Sequence, residues 1–147
     1  MGTGGAVKLA EPLLDEAFVL LNGDTYLDCD LSVLLGRHVE RQADVTVVVC
    51  PVEDTASFGT VLTDETGAVT AFCEKGVVET PGIVNAGMYV LRKTLLMTIP
   101  KNRPISLEHV LLPEWVATRR VIAFKHQGGF VDIGTPAGYA DFVQRHS

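Results

Sequence analysis

Positive charge is scarce in this chain. Its 147 residues include 12 Lys and Arg against 18 Asp and Glu, which gives a formal net charge of −6. A protein that binds nucleic acid needs Lys and Arg for its phosphate contacts, so this composition argues against a nucleic-acid partner. A nucleotide can still bind to such a protein where a metal ion or local N–H donors offset the repulsion between negative charges.

Long hydrophobic runs are also missing. The longest, FVLL and VTVVVC, are far shorter than the roughly 20 residues that a membrane-spanning helix needs. The opening residues, MGTGGAVKLA, lack the apolar core of a signal peptide. Because 47% of the residues are apolar, the chain is nevertheless expected to fold around a core. These features predict one cytoplasmic domain over 1–147 with no membrane association.

Cysteine is rare, and its spacing excludes a cysteine-based metal or redox motif. Cys29, Cys50 and Cys73 are odd in number and form no CxxC pair, so reduced thiols are expected. Cys50 ends an apolar run and is interpreted as a core thiol. The histidines have no HxH or HExxH spacing and are interpreted as surface or structural residues: His38, His109, His126 and His146.

Alternating strand and helix signals predict an α/β fold. The apolar run over 17–22 fits a strand that is buried on both faces, as in a parallel sheet. Asp30 can cap a helix over 31–42, and the Val-rich run over 44–51 follows as a second buried strand. This order is a βαβ unit. The apolar face expected for the helix comprises Leu31, Leu34, Leu35, Val39 and Gln42.

The second half of the chain has a different pattern. A hairpin is predicted with its turn near Glu65–Gly67. The remaining predicted elements are a strand over 83–91, a short helix over 92–98, a helical segment from Ser106 that ends at Pro113, strands over 119–126 and 128–134, and a last helix that Thr135 caps and that ends near Arg145.

Two acidic residues are the leading candidates for metal ligands. Asp24, in NGD, follows a buried strand, where open α/β sheets bind ligands, and Gly23 allows the backbone to turn and a ligand to approach. Asp132, in GGFVDIGTP, lies near another strand end. Two such carboxylates could share one Mg²⁺. On spacing alone, NGD could instead be a turn that Asp24 caps. Asp132 could instead be a turn residue whose side chain bonds to the backbone of 134–135.

Three further features are weak by themselves. The GTGG run at 2–5 predicts a tight loop that opens a short helix and offers exposed N–H groups there, although it is neither a P-loop nor a GxGxxG fingerprint. Glu74 and Lys75 end a strand and could bind sugar hydroxyls and a phosphate, or form an exposed ion pair. Asn85 is polar within an apolar strand and needs a backbone or ligand partner.

The order of these pieces is more specific than any one of them. From Gly2 to Phe142 the chain resembles the sugar-1-phosphate nucleotidyltransferases, and within them the D-glycero-D-manno-heptose 1-phosphate guanylyltransferases. The motifs that carry the resemblance are GTGGAVKLA, FVLLNGDTYLDCDL, FGTV, FCEK, VNAGMYVL, SLEHVLLP and GGFVDIGTPAGY.

The resemblance implies a fold, a reaction and a set of site residues. The implied fold is a Rossmann-like nucleotidyltransferase domain with a mixed, mostly parallel sheet flanked by helices. In the implied reaction, a sugar 1-phosphate attacks the α-phosphorus of a nucleoside triphosphate such as GTP, and pyrophosphate leaves. The implied nucleotide contacts are Gly2, Thr3, Gly4, Gly5, Asn22, Gly23 and Asp24. The implied sugar contacts are Gly59, Glu74, Lys75, Asn85 and Gly87. The implied catalytic residues are Asp24, Lys75 and Asp132, of which Asp24 and Asp132 bind Mg²⁺.

The chain also departs from that family. Members begin with a strand and a Gly-rich loop ending in Arg, followed by a Pro–Lys pair, and nothing here matches that segment. We therefore expect an N-terminally truncated domain with impaired turnover alone. The alternatives are a non-catalytic nucleotide-sugar-binding module or a subunit that another chain completes. A Rossmann-like domain of other function is disfavoured, because GxGxxG is missing.

A missing neighbour would leave the strand at 17–22 as an exposed apolar sheet edge. Such edges pair with other chains, so a homo-oligomer through this edge is expected. Neither the nucleobase nor the sugar follows from the sequence.

Overall fold

The computed structural model describes residues 2–56, 58–73 and 81–146. The helices are α1 (Gly2–Ala10), α2 (Leu31–Glu40), α3 (Leu112–Thr118) and α4 (Pro136–His146), with 3₁₀ turns at Glu11–Leu13 and Lys93–Thr98 and a π-helical turn at Leu107–Leu111. The strands are β1 (Ala17–Leu21), β2 (Thr25–Leu27), β3 (Val45–Val52), β4 (Thr60–Thr63), β5 (Val69–Cys73), β6 (Gly82–Arg92), β7 (Val121–Lys125) and β8 (Phe130–Asp132).

The main sheet is mixed. Its order is β5-β4-β6-β3-β7, and β1 pairs with β6 beside β4. The pairing is parallel between β3 and β7 and antiparallel at β1–β6, β3–β6, β4–β6 and β4–β5. Strands β1, β3, β4 and β7 therefore run in one direction, and β5 and β6 run in the other. This confirms the predicted mixed sheet in which most strands share a direction, and it confirms the hairpin, which is β4–β5.

The core forms because β3 and the C-terminal half of β6 are buried on both faces. All of Val45–Cys50 and Ala86–Leu91 are inaccessible or nearly so. One side of the sheet packs against Trp115 and the leucines of the π-helical turn and α3, and the other packs against α2 through Leu34. Burial of this much apolar side-chain surface is the main stabilising contribution to the domain.

The apolar face predicted for α2 is only partly correct. Asp30 caps the helix as expected, because its carboxylate accepts hydrogen bonds from the backbone N–H groups of residues 32 and 33. Leu34 and His38 are the buried residues, whereas Leu31 is 45% and Val39 69% exposed. The i, i+4 pair at 34 and 38 faces the sheet, and it includes a histidine that an apolar pattern does not identify.

Two further expectations about helices were wrong. The GTGG segment is not a loop that opens a helix, because Gly2–Ala10 is helical throughout. Pro113 does not end a helix either. It lies in the first turn of α3, where its missing N–H leaves no hydrogen bond unmade. Among the described residues, no helix is both long and apolar enough to cross a bilayer.

A second, two-stranded sheet lies outside the main one. In it, β2 pairs with β8 in antiparallel register. Helix α4 follows directly, begun by Thr135, whose hydroxyl accepts from the N–H of Gly138 at 3.1 Å. This confirms the predicted cap and places the segment after β8 beside the segment before β2.

Candidate functional site

Asp24 and Asp132 lie side by side. The β2–β8 register places Thr25 opposite Asp132, and the N–H of Ile133 donates to the carbonyl of Asp24 at 2.8 Å. The position that a Cβ on Gly134 would take is 2.9 Å from Asp24 Oδ2 and 3.1 Å from Asp132 Oδ1. The two oxygens are therefore no further apart than the sum of these distances, so both carboxylates border the same small part of the cleft.

The route by which they meet differs from the one expected. Asp24 follows β1, but Asp132 ends β8, which is not a strand of the main sheet. The two carboxylates come together because β2 turns back and pairs with β8, rather than because two neighbouring strands of one sheet end at the same edge. The sequence reasoning missed β2, since TYL is too short to give a periodic signal.

Asp132 also has the ordinary turn role that was considered for it. Its Oδ1 accepts from the N–H of Gly134 at 3.0 Å, and its carbonyl accepts from the Thr135 hydroxyl at 3.2 Å. These bonds fix the orientation of the carboxylate, and Oδ2 accepts no hydrogen bond from the residues that the structure describes. A held carboxylate is better prepared to bind a cation than a mobile one.

Asn22 is tied to the part of β6 that follows Asn85. Its N–H donates to the carbonyl of Gly87 at 2.9 Å. Gly87 has φ +72°, and a Cβ there would lie 2.9 Å from Nδ2 of Asn22 and 3.2 Å from Oγ1 of Thr25, so both backbone and packing require glycine. A Cβ on Gly23 would meet no protein atom within 4 Å. The protein therefore leaves open space at Gly23.

Asn85 belongs to a hydrogen-bonded network that reaches across the site. Its Oδ1 accepts from the N–H of Gly87 at 3.0 Å, and its Nδ2 donates to the Tyr89 hydroxyl at 2.7 Å. That hydroxyl donates to Glu108 Oε1 at 3.0 Å, and Asn22 Nδ2 donates to the same oxygen at 3.2 Å. Burial, with the Glu108 charge adding to it, raises the pKa of Tyr89 far above its usual value, so the hydroxyl keeps its proton.

Glu108 is a site residue that the sequence reasoning did not single out. It stands on the π-helical turn, and its side chain lines the cleft together with Asn22, Asn85 and Asp132. A signal was available, because SLEHVLLP places one carboxylate between buried leucines. The side of the helix on which Glu108 lies could not be derived, since π-helical spacing differs from the 3.6-residue period.

The glycines at the start of α1 pack against protein. The N–H of Gly4 donates to the Ile105 carbonyl at 2.9 Å, so it is not the exposed donor that was expected. A Cβ on Gly2 would lie 2.5 Å from that carbonyl oxygen, and one on Gly4 would lie 2.6 Å from Leu111 Cδ1. Gly4 and Gly5 are buried. Thr3 accepts from the Leu107 N–H at 2.9 Å and faces the same cleft as Asp24.

The site occupies a cleft with three connected parts. A part of about 170 Å³ lies between the two aspartates and Asn85. A part of about 570 Å³ extends toward Thr3 and Leu20, and one of about 370 Å³ extends toward Gly59 and Phe72. Phe58 stacks edge-on against Phe130 at 5.3 Å between ring centres and forms an apolar wall.

The cleft is acidic. Asp24, Asp132 and Glu108 line it, and no Lys or Arg from the described ranges does so. Within those ranges, no group of three or more His, Cys, Asp or Glu is arranged as a metal site. A pair of carboxylates without a third protein ligand suits Mg²⁺, which retains water and binds phosphate oxygens. Glu74 and Lys75, predicted to contact the sugar phosphate, lie outside the described residues.

Comparison with known proteins identifies relatives along the whole length of the chain. The nucleotidyl transferase family model matches residues 1–146. A mannose-1-phosphate guanylyltransferase of Mycobacterium tuberculosis is 34% identical over 98% of this chain. A D-glycero-alpha-D-manno-heptose 1-phosphate guanylyltransferase of Aneurinibacillus thermoaerophilus is 33% identical over 95% of it. The crystal structure of HddC from Yersinia pseudotuberculosis complexed with GMP-PN superposes with a TM-score of 0.87 at 30% identity over 99% of this chain.

These relatives are longer proteins. The chain spans 42% of the Mycobacterium protein, 60% of the Aneurinibacillus protein and 63% of the HddC chain.

Proposed function

The chain belongs to the nucleotidyl transferase family, and we propose that it takes part in guanylyl transfer from GTP to a sugar 1-phosphate, with release of pyrophosphate. The observation that carries this proposal is the pair of carboxylates, Asp24 and Asp132, beside one another in a cleft. The two relatives named above, both guanylyltransferases that act on a sugar 1-phosphate, support guanine as the base and a hexose or heptose as the sugar.

Asp24 and Asp132 are the residues that would hold Mg²⁺. Both offer hard oxygen atoms, and the bond from Gly134 already orients Asp132. When bound, Mg²⁺ supplies positive charge, which the described lining of the cleft lacks, and neutralises phosphate oxygens. Without a cation, three carboxylates would repel both reactants. The carboxylates themselves make no bond to the substrate carbon or phosphorus in this proposal.

The other residues position the two substrates. Thr3, Asn22 and Gly23 lie on the side of the cleft proposed for the nucleotide. Gly59 and Asn85 lie on the side proposed for the sugar, and Gly87 of β6 accepts the hydrogen bond from the N–H of Asn22 between the two sides. Holding both reactants in line contributes a large part of the rate in a reaction without a protein nucleophile. Base contacts at Gly2, Gly4 and Gly5, and sugar-phosphate contacts at Glu74 and Lys75, remain predictions.

Pyrophosphate release tests the proposed transfer. GTP, Mg²⁺ and either mannose 1-phosphate or D-glycero-D-manno-heptose 1-phosphate are mixed with the chain, and with its Asp24→Asn and Asp132→Asn variants. Asp28→Asn is the matched control, because Asp28 is exposed and lies beyond the cleft. Turnover that the two site variants abolish and the control retains supports the proposal. Equal turnover in all four proteins contradicts it.

A second candidate is a nucleotide-sugar-binding module that does not catalyse transfer. The lack of Lys and Arg from the described ranges in the cleft favours it, since a leaving pyrophosphate needs cationic partners. Mg²⁺-dependent binding of GDP-mannose without pyrophosphate release supports this candidate. Release of pyrophosphate at the rates of intact guanylyltransferases rules it out.

We also propose that the chain forms a homo-oligomer through β1. Within the described residues, β1 pairs with β6 alone, and Leu21 is 47% exposed. An unpaired strand edge with apolar side chains favours pairing with a second copy of the same strand.

A cytoplasmic location is proposed from the thiols. Cys29, Cys50 and Cys73 are free, and burial raises the pKa of the Cys50 thiol to about 11. Unpaired cysteines are typical of a reducing compartment. Fractionation of cells that express the tagged protein tests the location.

A further inference from the structure

The π-helical turn at Leu107–Leu111 directs Glu108 into the cleft. The side chains of Leu107 and Leu111 are each 1% exposed and anchor the turn in the core. Ser106 caps the turn by accepting from the His109 N–H at 3.1 Å, and Thr3 accepts from the Leu107 N–H at 2.9 Å. Such π-helical turns occur frequently at functional sites, and here the residue between the two anchors is a carboxylate.

Two donors hold one oxygen of that carboxylate. Asn22 Nδ2 and the Tyr89 hydroxyl both donate to Oε1. Tyr89 is fully buried, so its hydroxyl is a fixed point. The other oxygen, Oε2, accepts no hydrogen bond from the described part of the chain, although the side chain is exposed to the cleft. The carboxylate is therefore oriented on one side and available on the other.

Glu108 lies where the three parts of the cleft meet. Of the described residues, it alone lines all three. A carboxylate accepts hydrogen bonds and does not donate them, and it repels phosphate oxygens. An atom of the nucleotide sugar that approaches Oε2 must therefore be a hydrogen-bond donor, and away from the base the donors of a nucleotide sugar are its hydroxyls.

We infer that Glu108 is a specificity residue, which accepts a hydrogen bond from a sugar-ring hydroxyl of the ligand through Oε2 while Asn22 and Tyr89 hold Oε1. This inference rests on the proposed nucleotide-sugar binding. Two rings can supply the hydroxyl, the transferred sugar or the ribose, and both are recognised by the same chemistry. Carboxylate recognition of ribose hydroxyls is common in nucleotide-binding proteins.

Titration calorimetry in the presence of Mg²⁺ tests the inference. The proteins are the unaltered chain, Glu108→Gln and Glu108→Ala, with Glu114→Gln as control, because Glu114 is an exposed glutamate on α3 that lines no part of the cleft. The ligands are GDP-mannose, GDP and 2′,3′-dideoxy-GDP, which has no ribose ring hydroxyl. A charge-assisted hydrogen bond corresponds to about tenfold or more in affinity. Glu108→Gln should therefore lower the affinity for GDP-mannose by about that factor, and Glu114→Gln should leave it unchanged.

The ligand series identifies the ring. If Glu108 accepts from the transferred sugar, its variants lower the affinity for GDP-mannose and leave the affinity for GDP unchanged. If Glu108 accepts from the ribose, its variants weaken the binding of GDP-mannose and GDP alike and leave the binding of 2′,3′-dideoxy-GDP unchanged. Either pattern supports the inference.

Equal affinities in the unaltered chain and both Glu108 variants overturn the inference while leaving the proposed function intact. Loss of affinity for all three ligands overturns it as well, since that pattern indicates a change of site shape. Glu108→Gln retains an acceptor for the Tyr89 hydroxyl. An unchanged melting temperature of this variant shows that a loss of affinity does not come from unfolding. If the unaltered chain binds none of the ligands, the proposed function fails, and the inference fails with it.

Discussion

Gly134 lies so close to Asp24 that a Cβ at this glycine would stand 2.9 Å from the Asp24 carboxylate oxygen Oδ2. The same Cβ would be 3.1 Å from Oδ1 of Asp132. Glycine at this position therefore leaves the space in which the two carboxylates approach one another.

Gly134→Ala should separate the aspartates without unfolding the protein. The methyl group displaces the flexible end of the Asp24 side chain, which has room to turn toward solvent. Disturbing the residues that orient metal ligands lowers metal affinity by on the order of tenfold to a hundredfold. We expect Mg²⁺-dependent binding of GDP-mannose, measured by calorimetry, to weaken by about tenfold or more, and the melting temperature to change little.

Gly129→Ala is the matched control for this variant. A Cβ at Gly129 would meet no atom within 4 Å, so its affinity should equal that of the unaltered chain. Equal weakening by both substitutions would show that the effect does not come from crowding of the aspartates.

The buried face of α2 predicts a contrast between two apolar residues. Leu34 is fully buried and Val39 is 69% exposed. Leu34→Ala should lower the free energy of unfolding by about 2–5 kcal/mol, because it leaves a cavity. Val39→Ala should change it by less than about 0.5 kcal/mol. Urea unfolding monitored by circular dichroism measures both, and a similar loss in the two variants would refute this assignment of the helix face.

Buried His38 makes stability depend on pH. Its Nδ1 lies 2.8 Å from Thr46 Oγ1, and its Nε2 is buried without a hydrogen-bond partner among the described residues. Burial lowers the pKa of His38, Arg92 lowers it further, and Asp44 opposes the shift. The unfolded chain therefore binds a proton more readily than the folded one. The stabilisation is complete above about pH 6.5 and is lost as the pH falls toward the depressed folded value, by at most about 1.4 kcal/mol per pH unit.

The pH effect is measured as a slope. The unfolding free energy of the unaltered chain and of His38→Gln is determined between pH 7.5 and pH 5.5. The unaltered chain should lose stability more steeply on acidification, because glutamine does not titrate. Parallel profiles would contradict the assignment to His38, whatever the absolute stabilities.

The free edge of β1 predicts self-association that a single charge reduces. Lysine on an edge strand discourages pairing between chains. Leu21→Lys should therefore shift the protein toward monomer in sedimentation equilibrium at tens of micromolar. Leu62→Lys is the control, because Leu62 is comparably exposed, at 40%, on β4, which lies between β5 and β6. A monodisperse monomer of the unaltered chain at those concentrations would end the proposal.

Much of the fold was predictable because its elements have local signals. The Val-rich β3, the hairpin turn after β4 and the Thr135–Pro136 helix start each combine residues whose conformational preferences agree with the final structure. The proximity of Asp24 and Asp132 also agrees with the expectation, although the roles of both in metal binding remain predictions.

What could not be predicted depends on contacts between distant segments. The π-helical turn that directs Glu108 is set by packing of leucines against the sheet and by Thr3, which is more than a hundred residues away in sequence. The short strand β2 is stable only because β8 pairs with it. His38 is buried because it faces Thr46 across α2 and β3. None of these has a periodic or compositional signature.

The most direct test of the shared cation site uses Mn²⁺ as a paramagnetic substitute for Mg²⁺. Electron paramagnetic resonance measures free Mn²⁺ as it is titrated into the chain with GDP-mannose present. We predict one Mn²⁺ bound per chain, with affinity reduced by about tenfold or more in Asp24→Asn and in Asp132→Asn and unchanged in Asp28→Asn. If either site variant binds Mn²⁺ as tightly as the unaltered chain, Asp24 and Asp132 do not hold a common metal ion.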